Sequence, residues 1–311
     1  MSQDSLKTLA VVLGPTGSGK SELGLRLGEE LGGEIVNCDS VQIYKRFRIG
    51  TAKLSEADRR GIPHHLIDVA EPSEIFTAGD YAREAERVLR EIAARGRIPI
   101  IVGGTGFYLR ALLLGLSPGP KRDDLLRDSL LRREHRRPGA LHRILGRIDP
   151  SSAARIHAND RNKTLRALEV RLIGGRSMSA MFADNREPLI GFRPVKIGLN
   201  PKRDLLYRKL DSRTNAIFER GLVQEVQDLL ASGIASKVKP FESLGYAQAL
   251  RVVQGIITEE QAIESTKLET RRYAKRQMTW FRREADVHWL EGLGDEAAVQ
   301  EQALTIIRGR L

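Results

Sequence analysis

Two things are scarce in this 311-residue sequence: cysteine and long apolar stretches. Because Cys38 is the only cysteine, no internal disulfide can form, which excludes a disulfide-stapled scaffold and gives no reason to expect an oxidising compartment. The longest apolar runs, such as residues 9–13, are far shorter than the ~18 residues of a membrane span, and the start lacks a basic segment followed by an apolar one. We therefore predict a soluble, cytoplasmic protein without a membrane partner.

Acidic residues are outnumbered, with 40 Asp and Glu against 51 Lys and Arg, which leaves a net charge of +11. The excess is uneven: residues 1–118 hold 15 basic and 15 acidic side chains, whereas residues 119–190 hold 16 and 9, a net charge of +7. Residues 191–311 account for the remaining +4. This surplus favours a polyanionic partner that binds outside the first 118 residues.

The order of hydrophobic segments predicts an α/β fold. Short apolar runs of strand length alternate with helical periodicity, which is clearest over residues 81–94. Strands that are apolar on both faces indicate a parallel sheet covered by helices on both sides. The predicted strands are residues 8–13, 34–38, 66–69, 98–102, 195–199 and 288–290, and the later predicted helices are residues 203–230, 244–253 and 259–283.

A domain boundary is predicted at residues 118–120, where two prolines flank a glycine. Residues 121–185 then show helical patterns, many arginines and no convincing strand. We therefore predict an α/β core over residues 1–118 and 191–311, with a basic, all-helical domain inserted at residues 119–190. A chain of this length suits one large domain or two unequal ones.

The sharpest motif is GPTGSGKS, which follows the first predicted strand and precedes a helical pattern. It fits the phosphate-loop pattern G-x-x-x-x-G-K-[ST] at every specified position, so the predicted sheet is like that of P-loop NTPases. Its glycines let backbone N–H groups turn toward phosphate oxygens, Lys20 supplies a positive charge, and the Ser21 hydroxyl can bind Mg²⁺. The predicted phosphate-binding residues are Gly14, Pro15, Thr16, Gly17, Ser18, Gly19, Lys20 and Ser21.

Polar residues follow two further predicted strands. Asp39 ends the run EIVNCD, at the carboxyl edge of the sheet where such folds bind ligands. An aspartate there can hold Mg²⁺ through water, act as a general base, or merely cap a helix. The run IVGGTGFY places Thr105 among glycines that permit close approach to a ligand, although a tight turn explains the same pattern equally well.

The motifs taken in order resemble the tRNA dimethylallyltransferase family, whose members are also called tRNA isopentenyltransferases or IPP transferases. The resemblance covers nearly the whole chain. Its segments are GPTGSGKS, DSVQIY, IGTAK, PHHLIDV, GGTGFYLRALLLGLSP, RALEV, AKRQMTWFR and VHWL.

The resemblance implies transfer of a dimethylallyl group from dimethylallyl diphosphate to the exocyclic amine of the adenosine 3′-adjacent to the anticodon (position 37). The phosphate loop would then bind the donor diphosphate instead of ATP, with Mg²⁺ held through the Ser21 hydroxyl. Asp39 corresponds to the general base of the family. Thr105 corresponds to a threonine that orients the reacting groups, and Arg213 to an arginine placed against the pyrophosphate.

The resemblance also implies contacts with a tRNA anticodon stem-loop, whose target base must leave its stack to enter a closed site. Lys163 departs from an arginine usual in the family, and Ala247 stands where a basic residue is common. We predict a packing role for His64 and His65. The predicted tRNA-binding residues are Asp39, Ser40, Val41, Gln42, Thr105, Arg127, Asn162, Lys163, Thr164, Leu165, Arg166, Gly245 and Tyr246.

Three other classes of protein share some of these features. A nucleoside or nucleotide kinase would share the phosphate loop and a carboxylate on a neighbouring strand. A prenyltransferase acting on free AMP or ADP would share the fold without needing to grip RNA. A non-catalytic RNA-binding module would not need the loop, Asp39 and Thr105 together. For the transferase we expect a monomer with no obligate protein partner.

Overall fold

The structure is a computed structural model that describes residues 6–183 and 186–311. Its described residues form two compact units. The first unit runs to Leu113 and resumes over Leu189–Leu311, and the second unit is Leu114–Pro188. The backbone N–H of Leu189 donates to the Leu113 carbonyl over 3.3 Å, so the chain leaves and re-enters the first unit at neighbouring points. The inserted segment of the sequence prediction began at residue 119 and ended at residue 190.

The first unit contains a parallel sheet of six strands, as predicted. The strands are β1 (Lys7–Leu13), β2 (Gly33–Asn37), β3 (His64–His65), β4 (Ile98–Val102), β5 (Phe192–Leu199) and β6 (Val287–Leu290). Their order in the sheet is β3-β2-β4-β1-β5-β6, and every pair of neighbouring strands is parallel. Such a sheet places the carboxyl ends of all its strands at one edge.

Side chains of the central strand β1 supply both layers of the core. Leu9 and Val11 belong to one hydrophobic cluster, and Ala10 and Val12 belong to another. Because successive side chains of a strand point to opposite faces, this alternation places a hydrophobic layer on each side of the sheet. The helices of this unit are α1 (Lys20–Leu31), α2 (Ala78–Ala94), α3 (Gly106–Leu114), α9 (Arg203–Glu219), α10 (Leu222–Ala231), α11 (Tyr246–Val253), α12 (Glu259–Phe281) and α13 (Ala297–Arg308).

Two predicted elements of the first unit differ from the structure. The strand expected at residues 66–69 is replaced by the two-residue strand His64–His65, because Leu66 and Asp68 adopt φ values of 59° and 56°, which end the extended backbone. The single helix expected at residues 203–230 is two helices separated at Gly221, which has a φ of 91°. Only glycine adopts that conformation readily.

In the described part of the second unit, the regular secondary structure is helical. Its small core contains Leu130, Leu141, Leu145, Leu165 and Leu168. No helix of the described chain is both long and apolar enough to span a bilayer. The helices of this unit are α4 (Asp124–Arg136), α5 (Ala140–Ile148), α6 (Pro150–Arg155), α7 (Arg161–Gly174) and α8 (Met178–Ala183).

Candidate active site

The predicted phosphate loop, Asp39 and Thr105 all follow neighbouring strands of the sheet. The loop follows β1, Asp39 lies just after β2, and Thr105 just after β4, which lies between those two strands. The connections are hydrogen bonded to one another: Cys38 donates its N–H to the Val102 carbonyl over 2.8 Å, and Thr105 donates its N–H to the Cys38 carbonyl over 3.1 Å. The parallel sheet therefore brings the three predicted features together.

The phosphate loop has the backbone that its glycines permit. Gly17 and Gly19 have φ values of 76° and 85°. A Cβ on Gly17 would lie 2.6 Å from Leu210 Cδ2, and one on Gly19 would lie 2.6 Å from the nitrogen of Gly294. The loop is thus held between α9 and the turn that contains Gly294, whose N–H donates to the Ser18 carbonyl over 2.8 Å.

Lys20 carries the cation of the loop. Its Nζ donates to the Pro15 carbonyl over 2.7 Å. The pKa of Lys20 is lowered to about 7, first by burial and then by the charge of Arg213, while the carboxylate of Asp39 opposes both. An anion beside Lys20 would restore the charged ammonium, which is the response expected of a phosphate-binding lysine.

Asp39 is anchored by one of its carboxylate oxygens. Oδ1 accepts hydrogen bonds from the backbone N–H groups of Val41, over 2.8 Å, and Gln42, over 3.2 Å. Asp39 therefore caps a turn and not a helix, so the alternative of a helix cap is wrong in the element that it names. Within the described residues Oδ2 has no hydrogen-bond partner, so it remains available to accept a proton or bind a ligand.

Thr105 is joined to the segment that carries Asp39. Its Oγ1 accepts the backbone N–H of Ser40 over 3.0 Å and donates to Ser40 Oγ over 3.4 Å. The hydroxyl thus ties the loop after β4 to the loop after β2 at Ser40, the residue that follows Asp39. Thr105 is half-buried, which suits a group that orients others within a site.

The glycines around Thr105 are required by close packing. A Cβ on Gly103 would lie 2.1 Å from the Cys38 carbonyl oxygen. A Cβ on Gly104 would lie 2.3 Å from Gln277 Nε2, and one on Gly106 would lie 2.3 Å from the Trp280 ring. None of the three has a positive φ. Gly104 and Gly106 therefore reflect the approach of α12 to this loop, whereas Gly103 reflects the approach of the Cys38 backbone. Gln277 is a site residue for which the sequence pattern indicated no function.

A cavity of about 470 Å³ opens beside these groups. Thr16, Asp39, Ser40 and Arg213 contribute polar groups to its wall. Within the described residues Arg213 makes neither a hydrogen bond nor an ion pair, and burial lowers its pKa while the charge of Asp39 raises it. The cavity therefore combines an unpaired cation, a carboxylate and one residue of the phosphate loop with an apolar wall. The apolar part includes Tyr44, Phe76, Tyr108, Ile217 and Phe218.

The predicted RNA-binding residues of the first unit fall into two groups. Ser40, Val41 and Gly245 line the cavity, whereas Gln42 donates its side-chain amide to the Thr51 carbonyl over 3.1 Å. Tyr246 is completely buried. A contact with RNA at this turn would therefore fall to Gly245.

Tyr246 instead fixes the loop around Gly50. Its hydroxyl donates to Glu225 Oε2 over 2.6 Å and accepts the N–H of Gly50 over 3.2 Å. Burial and the neighbouring Glu225 carboxylate raise the pKa of the tyrosine. A Cβ on Gly50 would lie 2.4 Å from the Tyr246 ring, which explains why glycine occupies that position.

In the second unit, Arg127 forms a bidentate ion pair with Glu169. The two hydrogen bonds are each 2.6 Å long, and the Glu169 side chain is completely buried. Burial alone would raise the pKa of this carboxyl, but the hydrogen bonds from Arg127 and from the Asp123 amide outweigh it and lower the pKa below its ordinary value. Arg166 supports the pair from 3.4 Å. The structure therefore gives Arg127 a structural contact, and its binding to RNA stays a prediction.

The predicted RNA-binding segment 162–166 begins helix α7. Asn162 and Lys163 are exposed, and Lys163 pairs with Asp160 over 2.7 Å. Thr164 and Leu165 are buried, so they support the helix from inside the unit. Arg166 is half-buried and donates to the Pro120 carbonyl over 2.9 Å. Two of the five side chains are thus fully presented to solvent.

The two histidines of the PHHLIDV segment, for which we predicted a packing role, are half-buried and make polar contacts. His65 Nε2 lies 2.7 Å from Glu34 Oε2, which also receives a hydrogen bond of 2.7 Å from Arg95. His64 Nδ1 lies 2.8 Å from the Ile62 carbonyl, and burial lowers the pKa of this ring. In the described residues, no group of three or more His, Cys, Asp or Glu side chains is arranged to hold a metal ion.

Comparison with solved structures supports the same fold. A tRNA isopentenylpyrophosphate transferase from Bacillus halodurans superposes with a TM-score of 0.71 at 35% identity, covering 98% of this chain and 95% of that one. A eukaryotic dimethylallyltransferase that acts on tRNA superposes with a TM-score of 0.78 at 30% identity, covering 92% of this chain and 74% of that one. The predicted P-loop NTPase-like α/β fold is therefore confirmed.

Sequence comparisons extend over almost the entire chain. The tRNA dimethylallyltransferase of Solibacter usitatus is 56% identical over 296 residues, which are 95% of this chain and 96% of the relative. That of Koribacter versatilis is 52% identical over 301 residues, which are 96% of this chain and 98% of the relative. The family model described as IPP transferase matches residues 42–284. The chain therefore belongs to the IPP transferase family, whose relatives named here are tRNA dimethylallyltransferases.

Proposed function

We propose that this protein transfers the dimethylallyl group of dimethylallyl diphosphate to N6 of the adenosine 3′-adjacent to the anticodon, position 37 of tRNA, and releases diphosphate. The observation that carries the proposal is a cavity whose wall contains Thr16 of the phosphate loop, Asp39 and Arg213 beside apolar side chains, with Lys20 near enough to feel the charges of Asp39 and Arg213. Such a site suits a substrate that is anionic at one end and a hydrocarbon at the other. The names of the relatives support the same reaction.

The diphosphate would bind at the cationic end of the cavity. Backbone N–H groups of the phosphate loop, Lys20 and Arg213 neutralise the negative charge that grows on the departing diphosphate as the C–O bond breaks. Since Arg213 has no ion pair among the described residues, its guanidinium is free to bind an anion. Stabilising the leaving group is half of the reaction that the enzyme must promote.

The same end of the site suits Mg²⁺. Ser21 is exposed in the first turn of α1, and the described structure gives its hydroxyl no hydrogen-bond partner. Magnesium usually keeps several waters and takes only one or two protein ligands together with substrate phosphates. When bound, Mg²⁺ would add positive charge beside the diphosphate. Ser21 would hold the ion through its hydroxyl.

Asp39 would act as the general base. The adenine amine is a weak nucleophile because its lone pair is delocalised, so removing a proton as the new C–N bond forms lowers the barrier. With Oδ1 held by two backbone N–H groups, Oδ2 is the oxygen left to receive that proton. Thr105, bonded to the backbone of Ser40, would keep this loop in place.

The target base must reach a cavity of about 470 Å³, so the RNA has to be gripped while one nucleotide leaves its stack. The net charge of +7 on residues 119–190 supplies the electrostatic attraction for phosphate. We propose that Lys163, Asn162 and Arg166 contribute to this surface. We further propose that the protein works in the cytoplasm as a monomer, without an obligate protein partner.

The reaction can be tested directly against its alternatives. Purified protein is incubated with dimethylallyl diphosphate, Mg²⁺ and unmodified tRNA, and the digested nucleosides are examined by mass spectrometry. We expect one dimethylallyl group on an adenosine of the tRNA. Parallel reactions supply AMP with the same donor, or a nucleoside with ATP. Transfer to AMP without transfer to tRNA, or phosphoryl transfer from ATP, would refute the proposal.

A further inference from the structure

The side chain of Gln277 connects two separate segments of the active site. It lies in helix α12 and is 7% exposed. Its Oε1 accepts the backbone N–H of Thr16 over 2.8 Å, and its Nε2 donates to the Gly104 carbonyl over 2.8 Å. Because one partner is a donor and the other is an acceptor, the amide can satisfy both in only one orientation.

The two connected segments serve different steps of the proposed reaction, since one would bind the donor diphosphate and the other would hold the general base. Thr16 is part of the phosphate loop and lines the cavity. Gly104 precedes Thr105, whose hydroxyl accepts the Ser40 N–H beside Asp39. The Nζ of Lys20 lies 3.9 Å from the position that a Cβ on Gly104 would take. A single amide therefore sets the spacing between the loop that would bind the donor and the loop that would hold the base.

Helix α12 is a firm support for this amide. It is 23 residues long and begins with a capping box between Thr258 and Gln261. One turn after Gln277, Trp280 packs against Gly106 so closely that a Cβ there would lie 2.3 Å from the ring. Two neighbouring side chains of one helix face thus engage two glycines of one loop, which leaves little freedom for the loop to shift.

We propose that Gln277 is a positioning residue for group transfer, which aligns the phosphate loop with the Thr105 and Asp39 loop without touching the reacting atoms. The proposal rests on the proposed function. Its physical basis is that a misplacement of about 1 Å between reacting groups can lower a rate about 100-fold. Gln277 is the only described side chain whose polar atoms bond both segments.

The first test replaces the amide by an apolar group of similar size. Gln277→Leu should lower kcat for transfer to tRNA about 10- to 100-fold while KM for tRNA changes less than about 2-fold, because the loops lose their alignment and the RNA surface does not. Gln261→Leu is the matched control in the same helix, since it also removes an amide hydrogen bond to backbone, to Thr258 N over 3.0 Å. It should leave kcat unchanged.

The second test restores the two hydrogen bonds by protonation. In Gln277→Glu, an ionised carboxylate can accept from Thr16 but repels the Gly104 carbonyl, whereas a protonated carboxyl can accept and donate like the amide. Burial raises the pKa of such a group, whereas the Lys20 ammonium beside Gly104 lowers it. The ratio of its kcat to that of the wild type should therefore rise once the carboxyl gains its proton, as the pH falls from about 8.5 to about 5. A lost core contact with no positioning function would leave this ratio flat.

A third measurement does not depend on the reaction. Hydrogen exchange of the peptide that contains Thr16 should be faster in Gln277→Leu than in the wild type, because the Thr16 N–H loses its partner. Failure of the wild type to modify tRNA would refute the proposed function but leave this measurement in place. Unchanged exchange, a near-normal kcat in Gln277→Leu, or a flat ratio in Gln277→Glu would each overturn the positioning role.

Discussion

Replacing Arg127 by alanine is expected to destabilise the second unit by about 3 kcal/mol. Removing one partner of a buried ion pair commonly costs about 3–5 kcal/mol, because the other charge is left without compensation. Here the remaining charge is the completely buried carboxylate of Glu169. We expect the lower end of the range, since Arg166 stays 3.4 Å from that carboxylate and the Asp123 amide still donates to it over 3.1 Å.

The assay is urea unfolding of the full chain together with hydrogen exchange in α4 and α7, because a chain with two units need not unfold in one step. The control is the double variant Arg127→Met with Glu169→Gln, which removes both charges and should recover most of the loss. A loss below about 1 kcal/mol for Arg127→Ala, the value of an exposed pair, would refute the reasoning.

The same double variant separates structural support from RNA binding. It lacks the Arg127 charge but keeps the unit folded, so a raised KM for tRNA would report a lost contact. If Arg127 also binds a phosphate, the logarithm of the association constant for tRNA should depend less steeply on the logarithm of the salt concentration, with a slope smaller in magnitude by roughly one. An unchanged slope in this variant would remove Arg127 from the RNA-binding residues.

Four further outcomes follow from the geometry. Asp39→Asn should lower kcat about 10²- to 10⁴-fold and leave the Kd for tRNA within about 2-fold, measured by filter binding; near-normal turnover would exclude Asp39 as the base. The pKa of Lys20, lowered to about 7, predicts proton uptake on diphosphate binding near pH 8 and little near pH 6, which calorimetry in two buffers measures. Gly104→Ala should impair transfer, since its Cβ would lie 2.3 Å from a buried amide, whereas Gly146→Ala meets open space and should not. The pKa of Glu169 is lowered in the folded protein, so its ion pair should stabilise the fold above the pKa of the unfolded chain, about 4.3. This stabilisation should disappear as the pH falls through the lower pKa of the folded protein. Unfolding of the wild type and of the neutral double variant over this pH range measures the effect.

The sequence predicted the features that depend on local pattern. The strand ends before the phosphate loop, Asp39 and Thr105 could be located because buried parallel strands are apolar runs and their ligands follow their carboxyl ends. Because the carboxyl ends of parallel strands lie at one edge of the sheet, the predicted topology already places these three features close together. The strand at residues 66–69 failed for a local reason, since nothing in an apolar run reveals the left-handed backbone at Leu66 and Asp68.

Local sequence patterns could not predict contacts between side chains that are far apart in the sequence. Arg127 and Glu169 are 42 residues apart, and Gln277 meets Gly104 across 173 residues. An arginine in a basic segment has the same local signature whether it faces a phosphate or a buried carboxylate. Tyr246 shows the same limit, because a tyrosine beside a glycine suits a binding turn as well as a buried support for a loop.

The hydrogen bond between Leu189 and Leu113 has an evolutionary consequence. A segment whose two ends meet at one point adds little constraint to the chain that continues on either side, and exchanging it costs little closure entropy. Residues 114–188 could therefore be shortened, recombined or replaced while the sheet and its catalytic edge stay intact. The proposed RNA-binding surface and the transfer chemistry are then free to diverge at different rates along the same gene.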